Sequence, residues 1–311
     1  KGMKDNIDMK KGMKDNIERK QPSINEVFMH EGFPLFSFLE LNINEICNRT
    51  CPFCPRSDPK TYPNQNIHMD IGIATCIAEQ LESLNFNGIV NISGTGEPLL
   101  TRYIADIVKE FGDRGIHVEI VTNGDVLANK RKGPALIEKL YQSGLKQFVI
   151  SMYDGPEQIE FFDSLFASCG IDKSLYSLRD RWYDESEDYG LLYTNRAGNI
   201  GFEFLSDIAK AKLMESGKSA CFYTHYAMMI DWNGDALICC QDMYNRTVKF
   251  GNVQTKPLIE IWRDGKLMEF RNKLKNGERS LSPCSNCNAN GQIFGANHAK
   301  AWKNLVFKHG S

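Results

Sequence analysis

The chain has 311 residues, 42% of them hydrophobic, and a formal net charge of −2 with both signs interspersed. That length holds one large α/β domain and a smaller one with ample apolar material for a core, and the balanced charge argues against a nucleic-acid partner. No apolar run approaches the eighteen or so residues of a membrane span and no secretory signal precedes the fold, while ten cysteines, most in metal-type spacings, point to a reducing compartment, the cytoplasm, rather than to disulfides.

The first twenty residues read KGMKDNIDMK and then KGMKDNIERK, a near-perfect tandem copy short of core-forming residues, so residues 1–34 are expected to be a polar tail. Alternation over Leu35-Phe36-Ser37-Phe38-Leu39-Glu40-Leu41-Asn42 predicts a strand. It leads into Cys47-Asn48-Arg49-Thr50-Cys51-Pro52-Phe53-Cys54-Pro55, three thiols within eight residues. The two prolines deny this segment a regular helix and leave a loop that can wrap a soft metal centre. A zinc finger would need a fourth ligand close by in its own paired spacing, and His68 and Cys76 lie too far on. Three thiolates fit a cubane iron–sulfur cluster in which one iron lacks a protein ligand.

On these residues the sequence resembles the radical S-adenosylmethionine (radical SAM) enzymes, whose signature is CxxxCxxC with an aromatic residue before the third Cys, here Phe53. The resemblance assigns Cys47, Cys51 and Cys54 to a [4Fe-4S] cluster whose open iron chelates S-adenosyl-L-methionine. It implies reductive cleavage of that cofactor to a 5′-deoxyadenosyl radical, fed by an external one-electron donor of the flavodoxin or ferredoxin type.

Helical periodicity over Ile71 to Leu84, Tyr103 to Arg114 and Pro134 to Ser143 alternates with apolar runs at Gly88 to Ser93, His117 to Thr122 and Gln147 to Met152. Alternation of this kind specifies parallel βαβ units, with chemistry gathered at the C-terminal ends of the strands. Those ends are small and polar: Ser93-Gly94-Thr95-Gly96-Glu97-Pro98, Thr122-Asn123-Gly124 and Ser151-Met152-Tyr153-Asp154-Gly155. GTGEP looks like the family's Gly-Gly-Glu segment, with Thr95 where the second Gly usually stands. The resemblance therefore implies cofactor contacts at Gly94, Thr95, Gly96 and Glu97, the last toward the methionyl amino group, and at Asn123 and Ser151 toward ribose hydroxyls or the methionyl carboxylate.

Ser177-Leu178-Arg179-Asp180-Arg181-Trp182-Tyr183-Asp184 alternates, so as a strand it puts Arg179 and Arg181 on one face. Facing inward, with Tyr153 and Asp154, they would suit an anionic or hydroxylated substrate or the cofactor carboxylate; a solvent-facing strand fits the pattern as well. The acidic run Asp184 to Asp188 and the loop Asn195 to Asn199 read as surface connections forming a lid.

The last third brings Cys221, the Cys239-Cys240 pair and Cys284-Ser285-Asn286-Cys287, with Tyr226 to Ile238 reading as a hairpin turning at Asn233-Gly234. The hairpin, the Gly251-Asn252-Val253 turn, the helix opening near Ile261-Trp262 and the closing CxxC resemble the SPASM extension, or its shortened twitch form, of radical SAM enzymes. That likeness implies Cys221, Cys239, Cys284 and Cys287 on a second, auxiliary [4Fe-4S] cluster. Structural zinc on four Cys is the physical alternative. Cys240 is left over: a small apolar residue behind the hairpin, or a hydrogen-atom donor to a substrate radical.

The fold class expected is α/β, a partial (β/α)6 TIM-like barrel over 35–215 with a small C-terminal hairpin-plus-helix cluster-binding domain over 216–311. The function expected is hydrogen abstraction from a small polar substrate, sugar- or aminocyclitol-like, giving dehydrogenation or epimerisation. The alternatives are a peptide- or protein-modifying relative, disfavoured by a stretch before the motif too short for a leader-binding domain, and a non-catalytic metal-cluster scaffold.

Overall fold

The computed structural model describes residues 10–184, 194–201, 203, 219–303 and 305. Five strands, β3 (Phe38–Leu41), β4 (Ile89–Ile92), β5 (His117–Thr122), β6 (Gln147–Met152) and β7 (Tyr176–Asp180), lie side by side in parallel in chain order. Between β3 and β7 run helices α2 (Ile71–Ser83), α3 (Ile104–Gly112), α4 (Gly133–Gln142) and α5 (Glu157–Ser168). Leu39, Leu41, Val90, Ile92, Val118, Ile120, Phe148 and Ile150 belong to one apolar cluster with the buried faces of α2 to α5. Alternation along each strand therefore leaves Glu40, Asn91, Glu119, Ser151 and Arg179 on the other, concave face. A parallel sheet with apolar crossovers outside and a polar interior is the partial TIM-like barrel of the sequence reading.

Two features differ from that reading. The sheet does not stop at residue 215: after a short helix α6 (Tyr223–Tyr226), β8 (Ala227–Ile230) pairs in parallel with β3, and β9 (Asp235–Leu237) and β10 (Lys249–Asn252) extend the edge antiparallel. All four residues of β8 are buried, as befits a strand inside a sheet rather than in a free hairpin. Beyond β10 follow α7 (Leu258–Trp262), α8 (Gly265–Leu274) and α9 (Ala296–Lys303).

The second difference lies in residues 1–34. Residues 1–9, most of the first repeat copy, fall outside the described residues, but the second copy begins α1 (Lys11–Asn25), and Met13, Asn16, Lys20 and Ile24 are buried along one of its faces. A polar sequence can be buried here because the barrel interior is polar too. Lys20 Nζ lies 2.8 Å from Glu119 Oε2 and donates to Asn91 Oδ1 at 3.0 Å, and Arg19 Nη1 donates to Glu119 Oε1 at 2.6 Å. Gly12 lets the helix approach β7, since a Cβ there would stand 2.2 Å from the Leu178 carbonyl oxygen. The hairpin β1 (Met29–His30) and β2 (Phe33–Pro34) then leads into β3.

Candidate functional site: two thiol sets at one end of the barrel

Leaving β3, the chain turns through a loop braced from below. Arg56, buried, donates to Glu45 Oε2 at 3.0 Å, to Asn64 Oδ1 at 2.9 Å and through Nε to the Thr95 carbonyl, so one guanidinium ties the thiol loop to the end of β4. Asn64 clamps Cys47 by accepting from its N–H and donating to its carbonyl, each at 2.9 Å. Cys54 N–H donates to the Cys51 carbonyl at 3.0 Å, and the Tyr244 hydroxyl stands 3.4 Å from Cys54 Sγ. The three thiols are free and half-buried. Burial first, then Cys54 and Cys47, push Cys51 up to about 12. Half-buried, neighbouring thiols in a loop held from several sides fit a soft metal cluster, whose binding releases their protons.

The strand ends expected to hold the cofactor converge on this loop. Thr95 turns its side chain away from the opening, toward Asn42 Oδ1 at 3.2 Å and Glu45 Oε2 at 3.1 Å, and Gly94 (φ +141°) is needed because a Cβ would meet Asn42 Oδ1 at 2.2 Å. Gly96 packs on Asn44 as closely. Glu97 accepts from Leu99 N–H at 3.0 Å, Thr122 Oγ1 at 2.6 Å and Asn123 N–H at 2.8 Å. A carboxylate offers about four acceptor positions, so about one remains for an incoming ammonium group. Burial, only partly offset by these donors, pushes Glu97 up to about 7. The Asn123 amide donates to Asn48 Oδ1 at 2.8 Å, and Ser151 Oγ accepts from Arg179 Nη2 at 2.7 Å.

A cavity of about 390 Å³ opens beside the loop, walled by Asn48, Arg49, Cys51, Phe53, Tyr153 and Arg181. Phe53 and Tyr153 stack at 5.8 Å. Asp154 is not turned to the cavity but held by Arg49, which donates to it at 2.7 Å and to Asp125 at 2.8 Å. Arg179 and Arg181 face inward, one of the two alternatives the sequence left open, and Arg181 shares the cavity wall with Tyr153. The loop Asn195 to Asn199, expected as a surface lid, is tied down: Asn195 N–H donates to Asn288 Oδ1 at 2.8 Å and its amide to the Asn286 carbonyl at 2.6 Å. It carries Arg196, whose electrostatic neighbours are Tyr244, Cys240, Cys54 and Glu40. Residues 185–188 of the acidic run lie outside the described residues.

The second set of thiols separates the adjacent pair. Cys239 is electrostatically coupled to Cys284, Cys287 and Cys221 as well as to Cys240, and burial raises it well above the ordinary thiol range. Cys240 instead has Glu40, Arg196 and Tyr223 as its electrostatic neighbours, Tyr223 donating to the Glu40 carboxylate. Arg279 cradles the CxxC loop, donating to the carbonyls of Ser219 at 3.0 Å, Cys287 at 3.0 Å and Ala289 at 2.8 Å. Among the described residues no three Cys, His, Asp or Glu close on a point as the ligands of a single ion would. Arg246 joins the two regions, pairing with Glu45 and Asp231 and donating to the Tyr62 hydroxyl at 3.0 Å. Cys76, on α2, donates through Sγ to the Val253 carbonyl, away from both sets.

Sequence reasoning missed Glu40, Tyr223, Arg196, Tyr244 and Arg246. Only Glu40 carried a signal, as the polar residue in an otherwise apolar alternating strand; the others depend on contacts across the chain.

Two family models match: the Radical SAM superfamily over residues 41–165 and SPASM, an iron–sulfur cluster-binding domain, over residues 221–288. The S-adenosyl-L-methionine-dependent 2-deoxy-scyllo-inosamine dehydrogenase of Niallia circulans is 30% identical over 258 residues, 82% of this chain and 93% of that protein. The S-adenosylmethionine-dependent nucleotide dehydratase of Selenomonas ruminantium is 29% identical over 110 residues, 34% of this chain and 37% of its own length. Among solved structures, BtrN in complex with AdoMet and 2-DOIA aligns with a TM-score of 0.65 and 27% identity, covering 82% of this chain and 94% of that one.

Proposed function

This chain belongs to the Radical SAM superfamily, with a SPASM iron–sulfur cluster-binding domain, and on that premise we propose that it dehydrogenates an alcohol carbon of a small sugar- or aminocyclitol-like molecule held inside the barrel. It is a radical SAM enzyme whose cofactors are a [4Fe-4S] cluster, S-adenosyl-L-methionine and an auxiliary iron–sulfur cluster. The observation that supports the reading is the three-thiol loop walling a cavity together with Tyr153 and Arg181, in a chain that aligns over 93% of the length of a 2-deoxy-scyllo-inosamine dehydrogenase.

In this reading Cys47, Cys51 and Cys54 hold the first cluster, and Cys221, Cys239, Cys284 and Cys287 the auxiliary one. When bound, these groups supply a 5′-deoxyadenosyl radical and an electron acceptor. Glu97 keeps its remaining acceptor position for the methionyl ammonium, with Asn123 and Ser151 as neutral partners. Phe53 and Tyr153 form a wall that keeps water from a reactive intermediate. A substrate that loses a hydrogen atom from carbon must also give up its hydroxyl proton and one electron; Glu40, on the inner face and held by Tyr223, is placed to take the proton. An external flavodoxin- or ferredoxin-type protein would supply the reducing electron, in the cytoplasm; no described helix is long and apolar enough to cross a membrane.

Epimerisation is the second reading, favoured by Cys240: its thiol turns from the other four to Glu40 and Tyr223 on the barrel side. There it could return a hydrogen atom to the opposite face of a substrate radical, its own sulfur radical then taking an electron and a proton from the external donor. Anaerobic reconstitution and reduction test the shared core. Formation of 5′-deoxyadenosine supports it, and a reconstituted protein that leaves S-adenosylmethionine uncleaved would leave only a scaffold.

A further inference from the structure

Among the described residues, three guanidinium groups lie toward the barrel interior with no carboxylate paired to them. Arg179 and Arg181 leave β7 on the inward face, and Arg196 approaches the same space from the anchored loop between Cys54 and Cys240. The Nε atoms of Arg179 and Arg181 are buried with no hydrogen-bond partner. Burial first, then the Arg181 guanidinium, push Arg179 down to about 9, and burial lowers Arg181 as well. Arginine does not surrender its proton in proteins, so this environment amounts to charge in want of an anion.

Among the described residues, the nearby carboxylates have other hydrogen-bond or ion-pair partners. Glu119 is shared by Arg19, Lys20 and His117. Glu40 accepts from Tyr223 and, with Tyr244, Cys240 and Cys54, favours the charge of Arg196 without pairing to it, Asp180 accepts from Gly12 N–H at 2.9 Å, and Asp125 and Asp154 are both taken by Arg49. Among the described residues no ion pair joins Arg179, Arg181 or Arg196 to a carboxylate. The carboxylate of S-adenosylmethionine can answer one guanidinium and thiolates at the clusters draw on their surroundings, but neither offers several oxygens to three forks at once. A phosphate ester does, with close to two negative charges and three acceptor oxygens.

We propose that the substrate of this enzyme is a phosphate ester of a polyol, a sugar phosphate or a nucleoside-diphosphate sugar, gripped by Arg179, Arg181 and Arg196. This rests on the reading of the barrel as the reaction chamber, and it sets the chain apart from a relative named for an amine-bearing cyclitol. The test is titration calorimetry on the anaerobically reconstituted, S-adenosylmethionine-loaded protein, with glucose, glucose 1-phosphate, UDP-glucose and 2-deoxy-scyllo-inosamine as probes. At least one phosphorylated probe is expected to bind ten times or more tighter than glucose and to weaken as salt is raised, and which one does so separates the two sources. Arg181→Gln and Arg196→Gln are expected to cut that preference tenfold or more while leaving the weak binding of glucose in place; a merely structural role would move both alike. Equal affinity for glucose and both phosphorylated probes, or tighter binding of the amine, overturns the proposal. Cleavage of S-adenosylmethionine in the same preparation shows that the radical SAM reading stands even then.

Discussion

Replacing Lys20 by Met tests whether the N-terminal helix is part of the barrel. Lys20 and Glu119 are both buried, their charged atoms 2.8 Å apart, with side-chain exposures of 8% and 0%. Burial alone would raise Glu119, but the charges of Lys20 and Arg19 and the hydrogen bonds from His117 and Arg19 outweigh it and hold the carboxyl well below its usual range. Burial lowers Lys20 against the pull of Glu119; of the two, the preference of the carboxylate for its charge is the firmer, because Arg19 and His117 add to it. Removing one member of a buried pair costs about 3–5 kcal/mol. Arg19 still contacts Glu119 Oε1 at 2.6 Å, so Lys20→Met is placed at about 3 kcal/mol, equivalent to a fall of about 5 °C in Tm. The double change Lys20→Met with Glu119→Met is expected to recover most of the loss, because no charge is then left buried without its partner. Glu119 has a depressed folded pKa, so its stabilisation is present above the ordinary carboxylate range and is lost as pH falls through the folded value; the gap between parent and Lys20→Met should begin to narrow below about pH 4 and close only well below it. Anaerobic denaturant unfolding followed by circular dichroism measures all of this. A single variant within about 0.5 kcal/mol of the parent, or a double variant worse than the single, would refute the docking of α1 through this pair.

Iron analysis of the reconstituted protein is expected to give about eight irons per chain if both clusters are cubanes; replacing Cys47, Cys51 and Cys54 together by Ala should leave about four and abolish 5′-deoxyadenosine formation, as should the reverse subtraction with Cys239, Cys284 and Cys287 leave about four. Glu97 sits at about 7 and must be ionised to meet an ammonium group, so S-adenosylmethionine affinity by equilibrium dialysis should fall up to tenfold per pH step below that value, a slope that Glu97→Gln should remove. Cys240→Ala is expected to leave ketone formation intact; loss of product with continued cofactor cleavage would favour epimerisation.

The parts of the fold carried by local pattern were legible. Apolar runs at Ile89–Ile92 and Gln147–Met152 and the helix at Ile71–Ser83 follow from periodicity, and the cysteine spacings carried the family. Partnership was not legible. Nothing local says that Lys20 and Asn16 are buried, because their burial depends on Glu119, Asn91 and Ser177 more than seventy positions away. Nor could sequence tell that Ala227–Ile230 pairs in parallel with β3, since a hairpin strand has the same pattern in a separate domain. Cys239 and Cys240 are alike in sequence, and only the turn of the chain sends one to Cys284 and the other to Glu40.

Transfer of deuterium from substrate carbon into 5′-deoxyadenosine tests the central claim most directly. Mass spectrometry of the reduced, reconstituted enzyme turning over perdeuterated sugar phosphates, nucleotide sugars and aminocyclitols should find one of them placing a single deuterium in the deoxyadenosine, with a ketone as its product. Deoxyadenosine that stays unlabelled with every member of these classes would contradict hydrogen abstraction from a polyol in this barrel.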